Sequence, residues 1–283
     1  MNFELSLSPF TPFTPFTPFT FSPFSLHPSM SLVNCKINLG LNIIRKRPDG
    51  YHDLQTVFYP VNNFTDHIFL ENVPQDFEFV CRSAQDVGPD EANLCVKAFR
   101  LLQRDYGIQG VRLTLDKQIP TGAGLGGGSA DAAFTLKLLA EHFNLPVDNR
   151  ILKHYAAQLG SDVPFFIDNT PVYATGRGEI MTPVDLDLSL YNICIIKPDI
   201  FVSTREAYAG VCPHESDLNF ADVVRDVPVH EWKNCLFNDF EESVFQLHPQ
   251  LEGIKQKFYD DGAFYAAMSG SGSAVFGIFP KQP

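Results

Sequence analysis

One run of residues, Pro120-Thr121-Gly122-Ala123-Gly124-Leu125-Gly126-Gly127-Gly128-Ser129, constrains the fold more than any other part of the chain. Before it, Val111-Arg112-Leu113-Thr114-Leu115 alternates with period two, the mark of a half-buried strand. After it, Ala132, Ala133, Leu136, Leu139, Ala140 and Phe143 recur at helical spacing, which predicts an amphipathic helix. The chain must therefore pass from strand to helix through a run rich in glycine. Glycine permits positive φ and lets a ligand approach the backbone without a Cβ in the way. The first N–H groups of the helix lack intrahelical partners, and the helix dipole adds partial positive charge there. Strand, glycines and helix entrance together form a cradle for phosphate. A merely flexible turn is the alternative, but so many glycines weaken a helix start unless a ligand compensates.

Two common phosphate-binding readings fail. A P-loop needs Lys and Ser or Thr directly after its last glycine, and no lysine follows Gly128. Gly122-x-Gly124-x-x-Gly127 matches the dinucleotide fingerprint by letters alone. Its strand alternates like a half-exposed one, Pro120 interrupts the junction, and the downstream acid, Glu141, falls inside the helix.

The surrounding chain suits a soluble protein of 283 residues with 45% hydrophobic and 19% charged residues. A net charge of −12 excludes a basic surface for nucleic acid or an anionic membrane. Six scattered cysteines, none in a C-x-x-C pair, predict reduced thiols and a cytoplasmic protein without a zinc site. Residues 1–30 repeat Pro-Phe-Thr, which blocks helix and central strand, and read as a disordered low-complexity extension. They hold no Lys or Arg and no unbroken apolar stretch, so they do not read as a secretory or transit leader.

Strands are predicted in 33–44, 54–61, 66–71 and 76–80, with a turn at Pro48-Asp49-Gly50. Helices are predicted over 93–106 and 149–158. Beyond residue 184 the pattern gives strands at 191–197, 263–268 and 274–279, and helices near 203–208 and 250–259. Mixed order of this kind implies α+β layers rather than a βαβ repeat.

The glycine run resembles the central motif of the GHMP kinases, P-x-G-x-G-L-G-S-S-A, with Gly127-Gly128 where most members carry two serines. That pair is similar to one branch, which acts on a CDP-linked methylerythritol in the non-mevalonate isoprenoid pathway. Cys35-Lys36-Ile37-Asn38-Leu39 resembles the branch's A-K-[IL]-N-L motif. Arg47-Pro48-Asp49-Gly50-Tyr51-His52 resembles its R-x-D-G-Y-H signature, and Met268-Ser269-Gly270-Ser271-Gly272-Ser273 its C-terminal glycine motif. The segments stand in family order across nearly everything after residue 30. Many members continue further beyond the last glycine motif than this chain, which ends at Pro283.

The resemblance implies a two-domain α+β GHMP kinase fold, with an ATP-binding domain over 31–183 and a smaller α/β domain over 184–283. It implies ATP with Mg²⁺, a small-molecule alcohol acceptor, no nucleic-acid or membrane partner, and a monomer or weak homodimer. Asp162 in Gly160-Ser161-Asp162-Val163-Pro164 is by itself a turn or cap residue; the resemblance makes it the general base. Lys36 reads as a snorkelling edge lysine or, by resemblance, as the active-site partner of that base. Residues 120–129 with Ala130 hold the triphosphate; Ser129 is either an N-cap or a hydroxyl meeting the Mg²⁺–phosphate assembly. Asp131 suits the dipole of the first helical turn. Lys117 and Asn93 are expected near the nucleotide. Tyr51 would stack on the cytosine, His52 and Asn38 would hydrogen-bond it, and Tyr208 with Thr204 would cover its other face. The cluster Arg45-Lys46-Arg47 reads as a solvated hairpin end. Another GHMP kinase acting on homoserine or mevalonate is the runner-up, and a catalytically dead nucleotide-binding regulator the third reading.

Overall fold

The protein is described by a computed structural model over residues 29–74, 76–84 and 90–281. The expected low-complexity extension lies outside these residues as far as residue 28, and Ser29 and Met30 already belong to the first strand.

Two long strands organise everything else. β1 (Ser29–Lys46) and β2 (His52–Asn72) pair antiparallel along their whole length through the turn at Gly50, whose φ of +87° suits glycine. Odd positions of β1, from Val33 through Leu39, are apolar and enter the main core. Even positions carry Asn34, Lys36, Asn38 and Asn42, and these are buried as well. A strand with one apolar and one polar face is thus covered on both sides. Of these polar residues, Lys36 and Asn38 line a cleft, while Asn34 bonds to Asn169 and Asn42 to Asp239.

The other edge of β2 is shared. Its C-terminal part pairs with β4 (Val111–Lys117), which pairs in parallel with β3 (Phe77–Ser83). Its N-terminal part pairs with β5 (Val172–Thr175), followed by β6 (Ile180–Pro183). The sequence suggested two separate strands where β2 is one. The interruption is a bulge, across which the register steps from Cys35–Val61 to Asn34–Thr65.

Four helices accompany this sheet: α1 (Leu94–Tyr106), α2 (Gly127–His142), α3 (Asn149–Leu159) and the short α4 (Phe165–Asp168). Asn93 caps α1 by accepting the Cys95 N–H at 2.9 Å, and Gly107 closes it in the left-handed conformation. Expected to be amphipathic, α2 is instead buried nearly all round, since β1 and β2, α1, α3 and α4 enclose it.

The chain leaves this sheet at Pro183 and enters a three-stranded antiparallel one at Tyr191, within the stretch just after the boundary expected at residue 183. Its order is β7 (Tyr191–Ile196), β9 (Val275–Pro280), β8 (Tyr265–Met268). Helices α5 (Thr204–Ala209), α6 (Phe220–Asp226), α7 (Phe240–Leu247) and α8 (Pro249–Asp260) lie between β7 and β8 in sequence. The main apolar cluster runs from β1, β2 and α2 into Tyr265, Phe276 and Ile278 without a break. Leu41, Ile43 and Leu54, at the hairpin's far end, join a second cluster with α7, α8 and β9. The β1–β2 arm therefore belongs to both cores.

Candidate active site

The glycine run lies where the two sheets meet. Every carbonyl of its central tripeptide is turned into the protein. Ala123 accepts from the Ala274 N–H at 3.2 Å and Leu125 from the Lys36 N–H at 3.0 Å. Gly124 accepts from Lys36 Nζ at 3.1 Å and Ser269 Oγ at 2.9 Å. A Cβ on Gly124 would lie 1.8 Å from the Ser269 carbonyl oxygen, so only glycine fits, at a φ of +77°. Gly126, left-handed at +71°, is the N-cap of α2 and provides no side-chain cap. The helix thus begins two residues before expected, Ser129 sits inside its first turn rather than at the cap, and Asp131 lies beyond that turn. Around Gly128 there is nothing within 4 Å of a built Cβ, so that side of the loop is open for an approaching ligand.

Lys36 and Asp162 come together beneath the loop, Nζ to Oδ2 at 3.9 Å. Lys36 is buried rather than snorkelling; its ammonium also donates to Asn38 Oδ1 at 2.6 Å and rests 4.9 Å from the Phe58 ring centroid. Burial pulls its pKa below the ordinary lysine value, opposed by the charge of Asp162. Asn38 in turn donates to Thr56 Oγ1 at 3.0 Å. Asp162, in the turn before α4, keeps 35% of its side chain exposed and faces a cleft of about 410 Å³.

Of the residues singled out from sequence, Lys36, Asn38, Gly122, Gly124, Gly126, Asp162, Thr204 and Tyr208 line this one cleft. The aromatic wall differs from expectation. His52 is stacked on Tyr208 at 4.7 Å between centroids, and Tyr208 meets Phe240 edge-on at 4.8 Å. Tyr51 is largely exposed, with the Arg177 guanidinium 4.8 Å from its ring centroid. Neither Tyr51 nor His52 is among the residues that line the cleft. Asn93 is engaged in capping α1.

Lys117 is enclosed rather than free to reach out. Its ammonium bonds to Asp66 and lies 2.9 Å from Asp131 Oδ2, and all three side chains are buried. Asp66 also accepts from the Gln118 and Ile119 N–H groups, at 2.5 and 2.7 Å. Burial lowers the lysine pKa, but the Asp131 and Asp66 charges outweigh it and hold the ammonium above its usual value. Burial pushes the Asp131 carboxyl up to about 8 against the pull of Lys117. A Cβ on Gly127 would come within 2.9 Å of the Lys117 ammonium, so this triad braces the underside of the glycine run.

Sequence reasoning missed Thr56, Phe58, Arg177 and Phe201, which also line the cleft. Arg177 had a readable signal, a charged residue between Gly176 and Gly178 in a tight turn; the others sit in ordinary contexts. The Arg45-Lys46-Arg47 cluster is a hairpin end, where Arg45 and Arg47 pair with Asp53 and Arg47 also with Asp49.

A strand–glycine–helix cradle beside a buried lysine paired with a part-exposed aspartate suits phosphoryl transfer. Sequence comparison agrees. Residues 93–169 match the model of the GHMP kinases N terminal domain, and residues 229–283 that of the GHMP kinases C terminal region. The 4-diphosphocytidyl-2-C-methyl-D-erythritol kinase of Bacteroides fragilis is 52% identical over 251 residues, 88% of this chain and 91% of that protein. The chain belongs to the GHMP kinase family. A crystal structure of a 4-(cytidine 5'-diphospho)-2C-methyl-D-erythritol kinase superposes on this kinase with a TM-score of 0.75 and 34% identity, covering 88% of this chain and 89% of the other. A homoserine kinase from Cytophaga hutchinsonii shares the fold at a TM-score of 0.64 and 17% identity, covering 93% and 89%. The kinase has the two-domain α+β architecture of the family and acts on a small molecule. No helix among its described residues is long and apolar enough to cross a membrane.

Proposed function

We propose that the kinase transfers the γ-phosphoryl group of ATP to the 2-hydroxyl of 4-diphosphocytidyl-2-C-methyl-D-erythritol. The Lys36–Asp162 pair, facing the cleft beneath the glycine run, carries this reading. Phosphoryl transfer needs positioning and charge stabilisation more than covalent help from the protein. The triphosphate rests on the open side of residues 126–129, at the entrance of α2. The acceptor alcohol enters beside Asp162, which takes its proton as the oxygen attacks. Lys36, 3.9 Å from the Asp162 carboxylate, helps to position it and neutralises charge on the moving phosphoryl.

Mg²⁺ usually binds through substrate phosphates, waters and only one or two protein oxygens. The part-exposed Ser129 hydroxyl in the first turn of α2 suits that sparse donor set. Bound there with ATP, the ion would screen the phosphate charges. The aromatic wall of Tyr51, His52 and Tyr208 receives the cytosine, with Thr204 beside it. Scattered free thiols and a net charge of −12 fit a cytoplasmic enzyme without a nucleic-acid partner, and we place it there as a monomer or weak homodimer.

An ADP-release assay with the CDP-linked alcohol, mevalonate and homoserine tests the reading. Turnover is expected with the first alone. Efficient turnover of either of the others in its place would overturn the acceptor assignment.

A further inference from the structure

The tip of the β5–β6 hairpin carries an arginine that the catalytic scheme leaves unused. Gly176 and Gly178 hold φ values of +67° and +102°, and the Arg177 N–H donates to Glu179 Oε2 at 2.5 Å, which closes the turn tightly. The turn stands at the cleft rather than away from it, since Arg177 and Gly178 both line it. A Cβ on Gly178 would lie 3.6 Å from Asp162 Oδ1, so the main chain one residue after Arg177 passes beside the Asp162 carboxylate. Its guanidinium reaches the other way, to the Tyr51 ring at 4.8 Å. One side chain thus spans the interval between the reacting end and the aromatic wall.

Charge makes that interval informative. Among the residues lining the cleft, the charged side chains are Lys36, Asp162 and Arg177. Lys36 is buried and committed to Asn38, Gly124 and Asp162. Arg177 is 39% exposed and forms one ion pair, to Glu179 at 3.5 Å, with the Asp49 carboxylate also within electrostatic reach of a guanidinium that has five N–H donors. In the acceptor proposed above, the order is base, ribose, diphosphate, alcohol. In the cleft it is Tyr208, with His52 stacked on it and Tyr51 just outside under the Arg177 guanidinium, then Arg177, then Asp162 with Lys36. We infer that Arg177 grips the diphosphate of the acceptor and so helps the enzyme select a nucleoside-diphosphate-linked alcohol. This rests on the acceptor reading given above. A planar fork that stacks on an aromatic ring while pairing with phosphate oxygens is chemistry that lysine does not duplicate.

The test separates base from diphosphate. Full-length protein, wild type, Arg177→Met and Arg177→Lys, is titrated calorimetrically with cytidine and with CDP, and the KM for the CDP-linked alcohol is measured alongside. Wild type should bind CDP more tightly than cytidine. Arg177→Met should weaken CDP about ten- to hundredfold, the range of a charged hydrogen bond, and leave cytidine nearly unchanged. Arg177→Lys should recover part of the loss, and added salt should weaken CDP binding to wild type more than to Arg177→Met. Equal losses for cytidine and CDP would mean that Arg177 acts only by holding Tyr51, and would overturn the proposal. So would unchanged CDP affinity and KM in Arg177→Met while wild type turns over the CDP-linked alcohol; that result leaves the acceptor reading standing. A wild type that binds CDP and ATP yet never phosphorylates the CDP-linked alcohol overturns the acceptor reading instead.

Discussion

Lys36 is expensive to keep where it is. An ammonium taken out of water disfavours its own charge, and here Asp162, Asn38 Oδ1 and the Gly124 carbonyl offset that cost. Such a group is retained for chemistry rather than stability. Asp162→Asn should therefore leave a folded protein whose kcat falls by about 10²–10⁴-fold, with KM for ATP little changed; steady-state kinetics and circular dichroism check both halves. Lys36→Met should cost as much in kcat. Because burial holds the lysine pKa low, wild-type kcat should decline with rising pH before an ordinary lysine would titrate, and Lys36→Arg should move that decline upward. Near-normal turnover in Asp162→Asn would remove it as the base.

At the scale of elements, much was legible where one physical rule acted alone. The spacing of Leu94, Ala98, Leu101 and Leu102 gave α1, because it is a helix with one apolar face and a capping asparagine. The glycine run gave its own turn, because few other conformations are open to it. Elements set by tertiary contacts were not legible. β2 reads as two strands because its bulge looks like a loop. Lys36 reads as a snorkelling edge lysine, although Gly124 and Leu125, far off in sequence, bond to it and it is buried. Nothing local revealed that α2 would be enclosed all round, or that His52 would settle on Tyr208.

The Asp66–Lys117–Asp131 triad ties β2, β4 and α2 together, and its effect is readable through pH. The Asp131 carboxyl is raised from 3.8 to about 8, so between those values the native state holds a proton that the unfolded chain has lost. Its contribution to stability is full below pH 3.8 and disappears as pH rises through about 8. Asp131→Asn cannot titrate. The Tm difference, Asp131→Asn minus wild type, should therefore climb from pH 5 to about pH 8 and level off above it, measured by thermal melts. A flat difference would mean that Asp131 is ionised in the native state throughout.

Across the whole molecule, the two sheets are joined where glycine meets glycine. Gly124 lies against the Ser269 carbonyl, and Gly270 lies back against Gly124. The join is backbone on backbone, with no side chain to yield. Gly124→Ala should force the sheets apart locally and lower stability by about 2–4 kcal/mol, a drop in Tm of roughly 5–15 °C. Gly128→Ala, with nothing within 4 Å of its new methyl, should melt close to wild type and serves as the control. Equal melting of the two variants would refute the steric account.

The carbonyls of residues 123–125 are all anchored, to a strand of one sheet and a loop of the other. A glycine-rich segment in isolation has more conformational freedom to lose than any other. In this kinase that loss occurs when the chain folds, not when nucleotide arrives. Amides of the glycine segment that donate to no carbonyl should then exchange with solvent quickly, yet their backbone should show high order parameters without ligand. Nucleotide binding would carry little of the unfavourable ordering entropy that a mobile phosphate loop would bring.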